Sequence, residues 1–409
     1  MNEYLLHYIW RHRLYNTDDL SLESGEKLMV LHPGFYNRDA GPDFGEALLR
    51  IDETRWMGSV EIHIRSSDWT LHQHQNDPAY NNVVLHVVWE HDTDALRPDG
   101  SRLPVFTLME RVNHRLLSRY RRLADSKEGI ACSAMWKGHY PEAAWQMLER
   151  AAIERLEFRT HRILELLEQK QGDWESVCWE WLARAFGQRV NADAFSRLAE
   201  SLPWRIVQKL IHHPAQLDAA LFGQAGLLRP QLEKARNAEY NYVARKYGLQ
   251  PITGLQWKRL RMYPSSFPEN RLQQLKCLLM AHPRLLADFL TLNTVHEAYS
   301  YLGSAWQKPD SMEPGKDTID RWLINAVIPL VFAYGQFHQL PHLNERMLGW
   351  LEEMKPEGNE IVRRYRNIGL SAGNALHSQG ILMLHSLYCM PKRCLDCLIG
   401  QYWLTKAPP

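Results

Sequence analysis

Trp56-Met57-Gly58-Ser59-Val60-Glu61-Ile62-His63-Ile64-Arg65-Ser66 is the stretch that decides how the first part of this chain folds. Val60, Ile62 and Ile64 alternate with Ser59, Glu61, His63 and Arg65, the period of two that marks a strand. Glu61 and His63 are two residues apart and therefore share a face. Upstream, Asn37-Arg38-Asp39-Ala40-Gly41-Pro42-Asp43-Phe44 places a carboxylate just after Gly-Pro, where a turn delivers the chain into a strand. A hairpin from Ala47 to Ser66 would bring Asp43 beside Glu61. Two carboxylates held together are costly unless neutralised, and a hard divalent cation is the common solution. Downstream come Ser67-Asp68-Trp69, then His72, His74 and Asp77, and then the nearly all-apolar run Val83–Trp89, which contains His86 and reads as a buried strand.

Working outward, the segments from about Ala47 to Thr107 read as strands. Beyond about Glu110 the apolar spacing is three and four, and helices are predicted over 142–169, 174–186, 272–292 and 321–351. The chain has 409 residues, 45% hydrophobic and 23% charged, which excludes a mainly disordered polymer. The fold class that follows is α+β, with an α/β domain built on a mixed sheet over residues 1–125 and a large all-α domain over 126–409 that ends in a cysteine cluster. The net charge of +1 names no partner, but its distribution is uneven. Residues 1–100 carry 17 acidic against 8 basic side chains, while residues 205–276 carry 12 basic against 4 acidic. The longest apolar run, Leu323 to Gly335, is interrupted by Asn325 and Pro329 and falls short of the ~20 residues a bilayer requires. Met1-Asn2-Glu3-Tyr4 lacks the basic start of a secretory signal, so a cytoplasmic protein with no membrane partner is expected.

The succession Gly-Pro-Asp, hairpin, Glu61-x-His63, short helix and buried strand resembles the core of the PD-(D/E)XK nuclease superfamily, whose fold is restriction-endonuclease-like. The resemblance covers roughly residues 40–90. It implies a nuclease in which Asp43 and Glu61 hold Mg²⁺ or Mn²⁺ and His63 occupies the position of the water-positioning lysine. Histidine can orient or deprotonate water near neutral pH. Its presence there also fits a scaffold or nucleic-acid-binding protein that kept the fold and lost catalysis. The phrases Gly41-Pro42-Asp43-Phe44 and Val60-Glu61-Ile62-His63, with Ser66-Ser67-Asp68-Trp69, further resemble an uncharacterised bacterial domain-of-unknown-function family, DUF2851, over most of the chain.

A different chemistry is open to the histidines. His72 and His74 can share an ion, and a zinc hydrolase would draw on His63, His72, His74 or His86. Asp68 is either a turn carboxylate or a partner that orients a histidine. At the far end, Cys389, Cys394 and Cys397 stand at C-x4-C-x2-C spacing, suited to zinc or an iron–sulfur cluster, with His385 or Cys132 as the fourth ligand. Ordinary packing of reduced thiols is the alternative. Finally, Lys258, Arg259, Arg261 and Arg271, interleaved with aromatic residues, suit a groove for DNA or RNA, or else a solvated basic face.

Overall fold

A computed structural model of the chain describes residues 1–135, 142–229, 231–252, 254, 256–260, 262–306 and 313–405. The architecture is α+β and mostly helical, with one mixed sheet. The chain divides into two compact units. Unit 1 comprises Met1–Lys137 together with Tyr388–Pro409, and unit 2 comprises Gly138–Leu387. The expected boundary near residue 125 is therefore corrected in one respect: the last 22 residues belong with the sheet and not with the helices. Leu395 and Leu404 are buried in the core of unit 1, and the Arg119 guanidinium donates to the Leu404 carbonyl at 3.2 Å.

Unit 1 opens with helix α1 (Glu3–Arg11), whose first turn is capped by the Asn2 side chain accepting from the Leu5 N–H. Strands β1 (Leu28–His32), β2 (Phe35–Tyr36), β3 (Phe44–Ile51), β4 (Thr54–Arg65), β5 (Val83–Glu90) and β6 (Val105–Thr107) form the sheet. Their order is β1-β3-β4-β5-β6, with β2 also paired to β3. β3 pairs antiparallel with both β1 and β4, whereas β5 runs parallel to β4 and β6 parallel to β5. A parallel neighbour requires a crossover, and helix α2 (Asp68–Leu71) with two 3₁₀ turns supplies it. Gly58 is obligatory in β4: a Cβ there would lie 2.5 Å from Val84 Cγ1 and 2.6 Å from the Asn82 carbonyl. The Val60 and Ile62 face of β4 packs with Leu49, Leu85, Phe106 and the α1 residues Leu6, Ile9 and Trp10. The opposite face carries Glu61 and His63, and it too is buried, at 5% and 2% exposure.

Unit 2 is helical. α4 (Glu142–Gln169) and α5 (Trp174–Phe186), which follow α3 (His114–Ala124) of unit 1, occupy the ranges read from the sequence. The other two predicted helices are each divided. Residues 272–292 form Pro268–Ala281 and Leu285–Thr291, separated at His282-Pro283, where proline has no N–H to continue the ladder. Residues 321–351 break at His338–Leu340, where Gln339 is left-handed with φ 55° ahead of Pro341. Among the described residues, no helix is long and apolar enough to cross a membrane.

Candidate metal centre

The polar face of β4 meets the crossover at a cluster of four histidines and two carboxylates, all within unit 1. Glu61 and His63 share that face because of strand periodicity, and His86 comes from β5, where it is paired in register with Glu61. His72 ends α2, and Gln73 then adopts a left-handed conformation with φ 59°. That reversal lets His72 and His74 both turn inward, although they flank a turn and do not share a strand.

The contacts are short. His72 Nδ1 lies 3.2 Å from His63 Nε2, and Glu61 Oε1 lies 3.5 Å from His63 Nε2 and 3.3 Å from His74 Nε2. One ligand nitrogen each from His63, His72 and His74 falls within 4.8 Å of the other two. His74 Nε2 is buried and, despite its proximity to Glu61, has no aligned hydrogen-bond partner among the described residues. Behind the cluster, His63 Nδ1 and His86 Nε2 are 2.8 Å apart. A proton on His63 Nδ1 satisfies that contact and leaves the Nε2 lone pair facing Glu61 and His72, the arrangement that metal-binding imidazoles adopt. The His74 ring is fixed by stacking on Tyr80 at 3.8 Å between centroids and on His63 at 5.2 Å. Trp69 packs against His74 and His86, with its indole N–H bonded to the Leu96 carbonyl.

Electrostatics follow from burial. The Glu61 carboxyl is pushed up to about 9, first by burial and then by the charge of Asp43. Burial, reinforced by His86, His74, His72 and His7, holds His63 far below the ordinary imidazole value. His86 is pushed down to about 3 by burial, then by His74 and His91. Neutral imidazoles keep lone pairs for a cation, and a buried carboxyl is stabilised by one.

Asp43 sits at the mouth of β3 and interlocks with Glu61. Its backbone N–H donates to Glu61 Oε2 at 3.1 Å, and its own Oδ2 accepts from the Ile62 N–H at 2.9 Å. His7 Nε2 of α1 approaches the same Oδ2 at 3.2 Å, with Tyr36 behind it. His7 was not singled out from the sequence; a histidine amid the apolar residues of an N-terminal helix carries no spacing signal. Asp68 accepts from the Arg65 N–H at 2.9 Å and closes the turn after β4. Ser66 and Ser67 both bond Asp92, tying the end of β4 to the loop after β5.

The other sequence-derived candidates are distributed as follows. Cys132, Cys389, Cys394 and Cys397 line one small cavity in unit 1. His385 belongs to unit 2, and its Nδ1 faces the Tyr365 hydroxyl at 3.5 Å. In unit 2, Arg271 is 3% exposed, and its guanidinium donates to Gln274 and Ser266 and stacks on Trp322. It therefore lies in the interior and offers nothing to a phosphate at the surface. Arg259 is paired with Glu269, the Lys258 backbone is bonded to Asn191, and Arg261 lies outside the described residues.

A family model described as a protein of unknown function (DUF2851) matches residues 3–360, and the chain belongs to that family. No curated protein and no solved structure matches it.

Proposed function

We propose that this DUF2851 protein is a metal-dependent hydrolase of phosphodiester bonds in nucleic acid, with a transition ion such as Zn²⁺ or Mn²⁺ held by His63, His72, His74 and Glu61. The observation that carries the reading is the set of separations between the donor atoms. Nitrogen and oxygen ligands at 2.0–2.2 Å around a tetrahedral ion stand roughly 3.3–3.5 Å from one another. Three of the six separations, at 3.2, 3.3 and 3.5 Å, fall at that edge length, and the three imidazole nitrogens lie within 4.8 Å of one another. An ion so placed supplies a bound water of lowered pKa and polarises a phosphoryl oxygen.

The substrate class rests on topology. A helix, then β1, β3 and β4 antiparallel, then a helical crossover to parallel β5 supports the likeness to a restriction-endonuclease-like core, in which Asp43 and Glu61 would stand at the start of the middle strand and on the face of the next. In this reading His63 replaces the superfamily's lysine as a ligand and not as a base. A second reading retains Mg²⁺ or Mn²⁺ on Asp43 and Glu61, and the mutual backbone bonds of those two carboxylates favour it.

Metal analysis of protein purified without chelator, paired with cleavage assays on single- and double-stranded DNA and RNA, tests both readings. His72→Ala should lose the bound ion and lower cleavage by at least ~10²-fold, and His63→Lys should be as damaging as His63→Ala, because an ammonium cannot bind the ion. Full activity in His72→Ala, dependent on added Mg²⁺ and abolished by Asp43→Asn, would transfer the function to the carboxylate pair. A metal-loaded wild type that cleaves no nucleic acid would refute the substrate assignment.

A further inference from the structure

The sheet face that carries Glu61 and His63 continues well beyond the histidines. Backward along β4 it runs through Ser59, Met57 and Arg55, because alternate residues share a side. The register supplies the neighbours. Leu48 and His32 stand beside Met57, and Arg50 and Met29 stand beside Arg55. Phe35 is paired with Gly45 and points the same way, since the next pair, Tyr36 and Phe44, turns to the core. Helix α1 packs on the opposite face, whereas Met29, Phe35 and Met57 here are 45%, 64% and 68% exposed. Large apolar side chains standing together in the open mark a contact surface. At the far end Arg50 and Arg55 are paired directly across the strands, and neither has an ion-pair partner among the described residues. Asp52, in the turn between those strands, accepts from the Lys27 N–H at 2.9 Å instead. Like charges directly opposed are destabilising, so this pair is suited to an anion that bridges it. Between the apolar residues and the metal centre lie Gly45 and Ser59. A Cβ on Gly45 would meet no atom within 4 Å, so the space above it is open.

We propose that this face seats a single-stranded nucleic acid as it enters the metal centre, which makes single strands the substrate class; the proposal rests on the hydrolase reading above. Charge and chemistry name the occupant together. The Arg50–Arg55 pair takes a backbone phosphate, to which guanidinium groups can bond in parallel. Phe35, with the His32 ring 5.0 Å away, offers a ring on which a base can stack, and the thioethers of Met29 and Met57 adapt to whichever base lies on them. A duplex keeps its base faces within its own stack, so an apolar shelf of this kind selects for unpaired strands. At ~3.3 Å per residue, Met57 is ~13 Å and Arg55 ~20 Å from Glu61 along β4. A strand held at the arginines therefore crosses the shelf and the open floor at Gly45 and Ser59 before it meets the ion.

The test is binding of labelled oligonucleotides to the whole chain in chelator, where no cleavage interferes. Wild type should bind a single strand at least ~10-fold more tightly than the same sequence as a duplex. Phe35→Ala should weaken single-strand binding by roughly tenfold, the worth of one stacked base. Arg50→Gln with Arg55→Gln should flatten its salt dependence by about 1.4 in slope, the share of two phosphate contacts. These side chains are exposed, so the variants should fold and keep the metal content of wild type. Gly45→Leu fills the open floor and should lower cleavage of single strands with the ion still bound. Equal affinity for single strand and duplex, or unchanged binding in Phe35→Ala and in the double arginine variant, would overturn the proposal and leave the metal centre as it is. So would a dimer that Met57→Glu dissociates, because the face would then belong to a second copy of the chain. Single-strand binding with the expected dependences in a metal-loaded protein that cleaves nothing would instead sink the hydrolase reading and keep the docking face.

Discussion

Each unit buries a knot of polar side chains, and the two are built on opposite terms. In unit 2, Asp218 is 8% exposed on the helix Pro214–Gln224, and its carboxylate accepts from Arg236 at 2.5 Å, Lys276 at 2.8 Å and Gln273 at 3.2 Å. Donors and acceptor are matched, and nothing further is needed. In unit 1, Glu61, Asp43 and four histidines are gathered with no lysine or arginine among them, and His74 Nε2 and His86 Nδ1 are buried without hydrogen-bond partners among the described residues. Buried polar groups are costly unless paired. A satisfied knot holds its own charges in place, whereas the unit 1 knot keeps imidazole nitrogens that a bound ion would satisfy.

The largest stability effect should therefore come from breaking the matched knot. Asp218→Ala leaves Lys276 without this acceptor and Arg236 with Glu233 alone, and should cost ~2–3 kcal/mol, the range for losing charge-assisted bonds at a partly shielded site. Denaturant unfolding measures it, and metal content should be unchanged. A loss below the error of the measurement would show that the network contributes nothing and that the contrast between the two knots is false.

Glu61→Gln should act in the opposite direction. The amide keeps the shape of the carboxyl and is neutral without taking up a proton, which the Glu61 carboxyl, pushed up to about 9, must do on folding near neutral pH. In metal-free protein it should raise stability, by on the order of 1 kcal/mol, as active-site groups commonly do when neutralised. The same variant should bind the ion more weakly. If Glu61→Gln destabilises metal-free and metal-loaded protein equally, Glu61 is a structural residue and the centre is reduced to its histidines.

Much of this contrast was legible in the sequence, and the remainder was not, for reasons of distance. Strand β4 could be read residue by residue because alternation is local. Asp43 and Glu61 interlock through backbone N–H groups because a hairpin is nearly local as well. The joining of His72 and His74 to His63 depends on the left-handed Gln73 and on a parallel crossover, neither of which has a composition signal. Alternation alone does not say whether the polar face of β4 is exposed; Glu61 and His63 on it are buried, and Trp69 of α2 packs against the neighbouring His74 and His86. That Cys132 lines the same cavity as Cys389, Cys394 and Cys397 could not be read, since no local feature announces that the chain returns to unit 1 after residue 387. Arg271 misled for a related reason. A guanidinium beside aromatic residues reads the same whether those rings are stacked against it in the interior or exposed for bases, and here Trp322 covers it.

The smallest effect is expected at a histidine that is already satisfied. His282 of unit 2 stacks on Tyr301 at 3.7 Å, and its Nε2 is 2.8 Å from the Tyr301 carbonyl. Burial lowers its pKa, while that carbonyl and Asp288 pull it back toward the ordinary value. Folding thus favours neutral His282, and its contribution to stability is present above the unfolded value near 6.5 and is lost as pH falls below it. Acidifying from pH 7.5 to 5.5 should cost unit 2 only a small shift in unfolding midpoint, which His282→Gln should remove. Over the same range, protons compete with the ion for His63, His72 and His74, so metal-loaded unit 1 should lose its ion and with it a much larger part of its stability. Following metal release and unfolding together across that pH range separates the two contributions. If His282→Gln removes the acid sensitivity of the whole metal-loaded protein, the histidines of unit 1 are not holding an ion, and the distinction between the two knots does not survive.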